Sequence, residues 1–161
     1  MKYLLDTNIL IYLKDPYSKY YDIVGRNFLR KLTNDAKVYV SLLTLYEVEV
    51  GVSLARTSEV KDLMQNTIEL IETHFQVLPL TREEAKLFGN LKAFYIKAYG
   101  MKPKAAKRDD IDLILASTAI MEDPVLVSND SLFGKLQNLN SNLQYENWTI
   151  DDVGVEFELK Q

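Results

Sequence analysis

Cysteine is absent from the 161 residues, and histidine and tryptophan occur once each. Without thiols there is no disulfide framework, no thiolate zinc site and no cysteine nucleophile. Their absence fits a reducing compartment, and the expected location is the cytoplasm. The lone histidine, His74, excludes a histidine-pair or zinc hydrolase. It precedes an apolar stretch and reads as structural. No apolar run reaches the roughly 18 residues of a membrane span, and no signal peptide precedes the first strand-like segment. Neither a G-x-x-x-x-G-K-[ST] loop nor G-x-G-x-x-G is present, so nucleotide and dinucleotide cradles have no support. Internal repeats and low-complexity segments are also missing.

What remains is ordinary for a soluble globular chain: 47% apolar and 26% charged residues. The length fits one domain over residues 1–161, burying about 70% of its unfolded surface. Charge is unevenly spread. The net charge is −4, yet Lys86, Lys92, Lys97, Lys102, Lys104, Lys107 and Arg108 follow one another with no acid between them. The other 12 basic residues face all 23 acids. Such asymmetry gives an acidic protein a local positive field, although a solvated helix face explains a charge run equally simply. The C-terminal end, with Glu146, Asp151, Asp152, Glu156 and Glu158, tilts the other way.

Short apolar segments alternate with helical periodicities. Residues 2–5, 38–40, 75–78, 125–127 and 143–145 read as strands. Helical spacing covers 20–32, a helix opens near Thr44, and another runs from 58 to 74. Thr81-Arg82-Glu83-Glu84 starts a helix that reaches Tyr99 before Gly100. Asp109 or Asp110 caps the next, which ends near Asp123-Pro124, and a turn of helix follows Asp130. The segments around 15–18 and 100–108 are the expected mobile loops. This alternation implies an α/β fold with a mainly parallel sheet covered on both faces. Ligands then bind at the carboxyl ends of the strands.

Acids sit where those ends fall. Asp6 follows the first strand, Glu47 lies on the helix after the second, and Asp130 follows the fourth. Asp112 heads the helix that feeds the fourth. Four carboxylates meeting at one place would raise each other's pKa unless a cation lay between them. All-oxygen ligation favours Mg²⁺ or Mn²⁺ over zinc, and the chemistry is metal-assisted phosphodiester hydrolysis. Each acid also has a structural explanation. Asp6 and Asp130 can cap helices, Thr44-x-x-Glu47 matches a capping box, and Asp112 can complement a helix dipole. Against that, Asp112 heads an apolar, small-residue face through Ala116 and Ala119.

Four short segments resemble the motifs of PIN-domain nucleases, in that family's order. They are Leu4-Leu5-Asp6-Thr7-Asn8, Glu47-Val48 before Gly51, Asp112-Leu113-Ile114-Leu115-Ala116-Ser117, and Leu126-Val127-Ser128-Asn129-Asp130 with Phe133. Ser128 stands where threonine is common. Leu115 and Ser117 replace Ile and Ala, and Leu132 replaces a frequent further aspartate. The resemblance implies a three-layer PIN-like fold and a Mg²⁺- or Mn²⁺-dependent ribonuclease. Small single-domain members look most like VapC toxins of toxin–antitoxin pairs, which implies an RNA substrate, an antitoxin partner and a homodimer. By the same resemblance Asp6, Glu47, Asp112 and Asp130 are catalytic metal ligands. Thr7, Asn8, Ser128 and Asn129 orient them. Lys102, Lys104, Lys107 and Arg108 are candidates for the RNA backbone. Tyr12, Tyr17, Tyr20 and Tyr21 either stack on bases or pack a helix or dimer interface. Three other readings stay open: an RNA-processing PIN nuclease outside toxin–antitoxin systems, a non-catalytic RNA-binding module, and an aspartyl-phosphate phosphatase. The last ordinarily has a second aspartate where this chain has Asn8.

Overall fold

The computed structural model describes residues 1–32 and 35–151. Its strands are β1 (Lys2–Leu5), β2 (Lys37–Ser41), β3 (Gln76–Leu78), β4 (Val125–Val127) and β5 (Tyr145–Glu146). They form one sheet in the order β3-β2-β1-β4-β5, and every pairing is parallel. The sheet is thus wholly parallel, beyond the mainly parallel expectation. Leu5 of β1 is level with Val40 of β2 and Val127 of β4. β1 and β4 therefore finish level, and β2 one residue later at Ser41.

Parallel neighbours need crossovers, and helices supply them. These are α1 (Thr7–Lys14), α2 (Tyr21–Lys31), α3 (Leu42–Leu54), α4 (Ser58–His74), α5 (Arg82–Tyr99), α6 (Asp110–Glu122) and α7 (Ser131–Leu139). A short 3-10 helix, Ala105–Asp109, leads into α6. The strands are apolar at consecutive positions because both faces are covered. Leu4, Tyr39 and Leu126 point to one face, where they meet Leu91 and Tyr95 of α5, Leu113 of α6, and Phe133 and Leu136 of α7. Tyr3, Leu5, Val40 and Val127 point to the other, against Ile9 and Leu10 of α1, Val24 of α2 and Ile71 of α4. Trp148 closes that second core and meets Tyr3 edge-on at 5.2 Å. Truncating a residue as buried as Phe133 to alanine costs about 3–5 kcal/mol. The result is a three-layer α/β fold. No helix among the described residues is long and apolar enough to cross a membrane.

Several boundaries differ from the sequence reading. Helix α3 starts at Leu42 because Ser41 is its N-cap, its Oγ accepting from the Leu43 amide at 3.2 Å. The Thr44–Glu47 capping box therefore does not form, and Glu47 sits in the second turn. The fifth strand begins at Tyr145, with Leu143 buried just before it. The helix after Asp130 runs nine residues rather than one turn. Part of the 100–108 loop is helical, anchored by buried Ala106. The α5 start is as read: Thr81 Oγ1 accepts from the Glu84 amide, and Glu84 Oε2 accepts from the Thr81 amide. That helix ends at Gly100, in the left-handed region at φ 58°. The terminal acids Asp152, Glu156 and Glu158 lie outside the described residues.

Candidate active site

Because β1 is central, the chain leaves the sheet at the middle of its carboxyl edge. The first residue beyond the strand is Asp6, the N-cap of α1. Its carboxylate is held from three sides. Oδ1 accepts from the Thr7 amide at 2.7 Å. Oδ2 accepts from Asn8 Nδ2 at 2.7 Å and from Ser128 Oγ at 2.6 Å. Such donors favour the charged form, yet burial outweighs them, since the residue is only 7% exposed. Burial first, and the charges of Glu47 and Asp130 behind it, push the Asp6 pKa up to about 6.

The other three acids arrive from three more segments. Glu47 is tied to the first strand's turn, its Oε2 accepting from Thr7 Oγ1 at 2.5 Å. Asp112, half-buried in the first turn of α6, has its pKa pushed up to about 7. Burial is the main cause, followed by the negative charges of Asp6, Asp130, Glu47 and Asp109. Asp130 caps α7, its Oδ1 accepting from the Leu132 amide at 2.8 Å, and so has the structural role the sequence allowed. It also acts electrostatically on both Asp6 and Asp112. The structure thus brings all four acids into one field. Among the described residues none of the four forms an ion pair with a lysine or arginine.

The turn after β4 links these groups. Ser128 Oγ donates to Asp6 and accepts from the Asp130 amide at 2.9 Å. The Asn129 amide donates to Asn8 Oδ1 at 3.2 Å. Asn129 Nδ2 donates to the Tyr12 hydroxyl at 3.1 Å, and Tyr12 packs against Tyr20 at a tilt, with ring centroids 4.9 Å apart. Thr7, Asn8, Ser128 and Asn129 are therefore all bonded into the turn or to an acid. Tyr12 and Tyr20 pack within the protein, whereas Tyr17 is 96% exposed. Sequence reasoning missed Tyr145, whose hydroxyl lies 3.1 Å from the Asp130 carbonyl. Burial pushes its pKa up, and Asp130 and Asp6 add to the shift. No local motif marks it, because only the β4–β5 pairing carries it there.

Lys102, Lys104, Lys107 and Arg108 are exposed on the segment immediately before α6. Arg108 Nε lies 3.4 Å from Asp109 Oδ1. Lys92 donates to Asp110 Oδ1 at 2.5 Å. Asp109 holds the N-cap position of α6 without a side-chain cap bond; instead its Oδ2 accepts from the Tyr95 hydroxyl at 3.0 Å. His74 is exposed in the last turn of α4, beside an apolar groove lined by Phe28, Leu70 and Phe75.

An all-carboxylate, amide and hydroxyl donor set suits a hard cation and excludes a soft one. Among the described residues no three Asp, Glu or His side chains are already arranged to hold one ion together. Three of the four acids are instead occupied by protein donors: Asp6 by Thr7, Asn8 and Ser128, Glu47 by Thr7, and Asp130 by its own helix. Mg²⁺ does not need such a cage, since it keeps several waters and takes one or two carboxylates directly.

A PIN-domain family model matches residues 3–139. No curated protein sequence matches the chain. Solved structures do. A chain of VapBC2 from Rickettsia felis, crystallised with a DNA fragment from its promoter, is 26% identical at a TM-score of 0.69, covering 92% of this chain and 99% of its own. A chain of VapBC-1 from nontypeable Haemophilus influenzae is 25% identical at 0.66, covering 93% and 100%. VapBC-5 from Mycobacterium tuberculosis, a toxin–antitoxin system, shares the fold at 20% identity and 0.62, covering 91% and 96%. The chain belongs to the PIN-domain family, and over most of its length it resembles chains of VapBC toxin–antitoxin complexes.

Proposed function

We propose that this protein is a divalent-metal-dependent ribonuclease of the VapC type. It hydrolyses RNA phosphodiester bonds at the site formed by Asp6, Glu47, Asp112 and Asp130. The observation that carries this reading is electrostatic. Burial and the charges of Glu47 and Asp130 push Asp6 up to about 6, and burial with the charges of Asp6, Asp130, Glu47 and Asp109 pushes Asp112 up to about 7, with no lysine or arginine paired to either among the described residues. A fold does not retain mutually repelling, desolvated acids for stability. An external cation resolves the conflict.

Asp6 and Asp112 would hold Mg²⁺ or Mn²⁺ directly, with Glu47 and Asp130 reaching it directly or through water. When bound, the ion activates water and offsets charge on the phosphate and the leaving oxygen. Thr7, Asn8, Ser128 and Asn129 fix the carboxylates so that little reorganisation is needed at the moment of reaction. Lys102, Lys104, Lys107 and Arg108 draw the phosphate backbone toward the head of α6 without reading sequence. The VapBC likeness makes an antitoxin the expected protein partner, and a homodimer is part of the same proposal. Tyr46, Val50 and Leu54, exposed at four-residue spacing along α3, offer an apolar stripe for such contacts. The same reading makes residues 1–161 a single cytoplasmic domain.

The test is cleavage of single-stranded RNA by the purified chain. Cleavage with Mg²⁺ or Mn²⁺ that stops in EDTA and in Asp6→Asn supports the reading. RNA binding that EDTA leaves unchanged, with no cleavage, makes the chain a non-catalytic RNA-binding module.

A further inference from the structure

The turn that carries Ser128, Asn129 and Asp130 is bonded to the site from within. Ser128 is fully buried, but the turn grows more open toward Asp130, which is exposed, so a bond from outside the turn bears on where Asp130 sits. The edge strand β5 supplies that group. Its first residue, Tyr145, is half-buried, and its ring rests on Phe133 of α7 with centroids 6.0 Å apart. Phe133 is fully buried, so the tyrosine ring has a rigid support. The hydroxyl lies 3.3 Å from the Ser128 carbonyl and 3.1 Å from the Asp130 carbonyl. One proton serves two acceptors that bracket Asn129, so the bond pins the whole turn rather than one peptide.

What the turn holds explains why this matters. Ser128 Oγ donates to Asp6 and accepts from the Asp130 amide. The Asn129 amide reaches across to Asn8, which itself bonds Asp6. A shift of the turn would move Asp130 against Asp6 and loosen the Ser128–Asp6 bond together. We propose that Tyr145 is a positioning residue, whose hydroxyl clamp on the Ser128–Asp130 turn sets the spacing between Asp130 and Asp6 for metal binding. This rests on the metal-nuclease reading above. Tyr145 touches neither substrate nor ion; it acts through the turn.

The variant is Tyr145→Phe, which keeps the ring on Phe133 and removes only the hydroxyl. Three readouts on the full chain separate the outcomes. Amide hydrogen exchange, which needs neither metal nor RNA, should quicken about tenfold at Asn129 and Asp130 while thermal unfolding moves little. Mn²⁺ affinity measured by electron paramagnetic resonance should weaken roughly tenfold, the usual effect of removing a group behind a metal ligand. In RNA cleavage at fixed Mn²⁺, kcat should fall by a similar factor with KM unchanged, and added Mn²⁺ should restore part of it. Unchanged exchange at both amides, or Mn²⁺ affinity within twofold of an active wild type, overturns the clamp alone. A lowered unfolding temperature with exchange raised uniformly across the chain assigns Tyr145 a merely structural role and also overturns it. A wild type that binds no Mn²⁺ and cuts no RNA overturns the metal-nuclease reading and the clamp's purpose with it, whatever the exchange data show.

Discussion

Two pairs of aspartates have surroundings that differ sharply. Asp109 and Asp110, at the head of α6, each have their own partners. Asp109 accepts from Tyr95 and lies beside Arg108, and Asp110 accepts from Lys92. Asp112, two residues on, and Asp6 have no basic partner among the described residues; the charges of Glu47 and Asp130 act on both, and those of Asp6 and Asp109 also act on Asp112. The first pair is a structural use of carboxylates, balanced by cations the chain supplies. The second has no such balance among the described residues, and the proposed metal ion would supply it. Sequence position alone does not separate these pairs; the partners do.

The largest effect should follow from removing the central acid. Asp6→Asn should lower metal-dependent RNA cleavage by at least about 10³ in kcat, measured against wild type at saturating RNA. A loss of less than tenfold would break the distinction, since Asp6 would then be no more than an N-cap. Next comes the basic segment ahead of α6. Alanine at Lys102, Lys104, Lys107 and Arg108 together should raise KM about tenfold and leave kcat near wild type. It should also reduce the salt dependence of RNA binding, by a slope of about 3 if all four contact phosphate. A changed kcat with an unchanged slope would place these residues in the acid site instead.

The metal-free protein should also respond to pH in a direction set by the unbalanced pair. Both acids titrate higher in the folded chain than their ordinary value of 3.8, so between about 4 and about 7 the folded state binds more protons than the unfolded one. The contribution is fully present below about 3.8 and is lost as pH rises through about 6 and about 7. Thermal unfolding in EDTA should therefore occur at a lower temperature at pH 8 than at pH 5, and Mg²⁺ or Mn²⁺ at pH 8 should recover the difference. The smallest effect is the sharpest contrast. Asp112→Asn should stabilise the metal-free chain at pH 8 by about 1 kcal/mol, a value discounted for partial exposure. Asp110→Asn should destabilise it by up to about 1 kcal/mol, because Lys92 loses its carboxylate. Denaturant midpoints of the two variants moving the same way would erase the difference between the pairs.

Much of the fold was legible because fully covered parallel strands announce themselves as short apolar runs. Residues 2–5 and 125–127 read directly as β1 and β4, and with them came the placement of Asp6 and the 128–130 turn. Helix starts were less legible. Thr44-x-x-Glu47 has the spacing of a capping box, but Ser41 caps three residues earlier, and that choice depends on where β2 ends. The 100–108 segment looked like a plain loop because nothing local shows that Ala106 is buried. Asp6, Glu47 and Asp130 stood out as residues beyond strand ends, and Asp112 as the head of the helix that feeds β4. What could not be read is which neighbours each acid meets. The pairing of Asp110 with Lys92 crosses from α5 to α6, and Tyr145 reaches the turn only through the parallel β4–β5 register. Contacts of that kind are set by packing between elements, and no local pattern encodes them.

The central claim is that the unbalanced acids exist to hold a hard cation, and Mn²⁺ anomalous diffraction from crystals of this chain tests it most directly. The account predicts a peak against the Asp6 carboxylate, within reach of Asp112, that vanishes in Asp6→Asn. Crystals soaked in millimolar Mn²⁺ that show no peak there, or a peak only in the acidic groove of Glu49, Glu69 and Glu72 between α3 and α4, would contradict it.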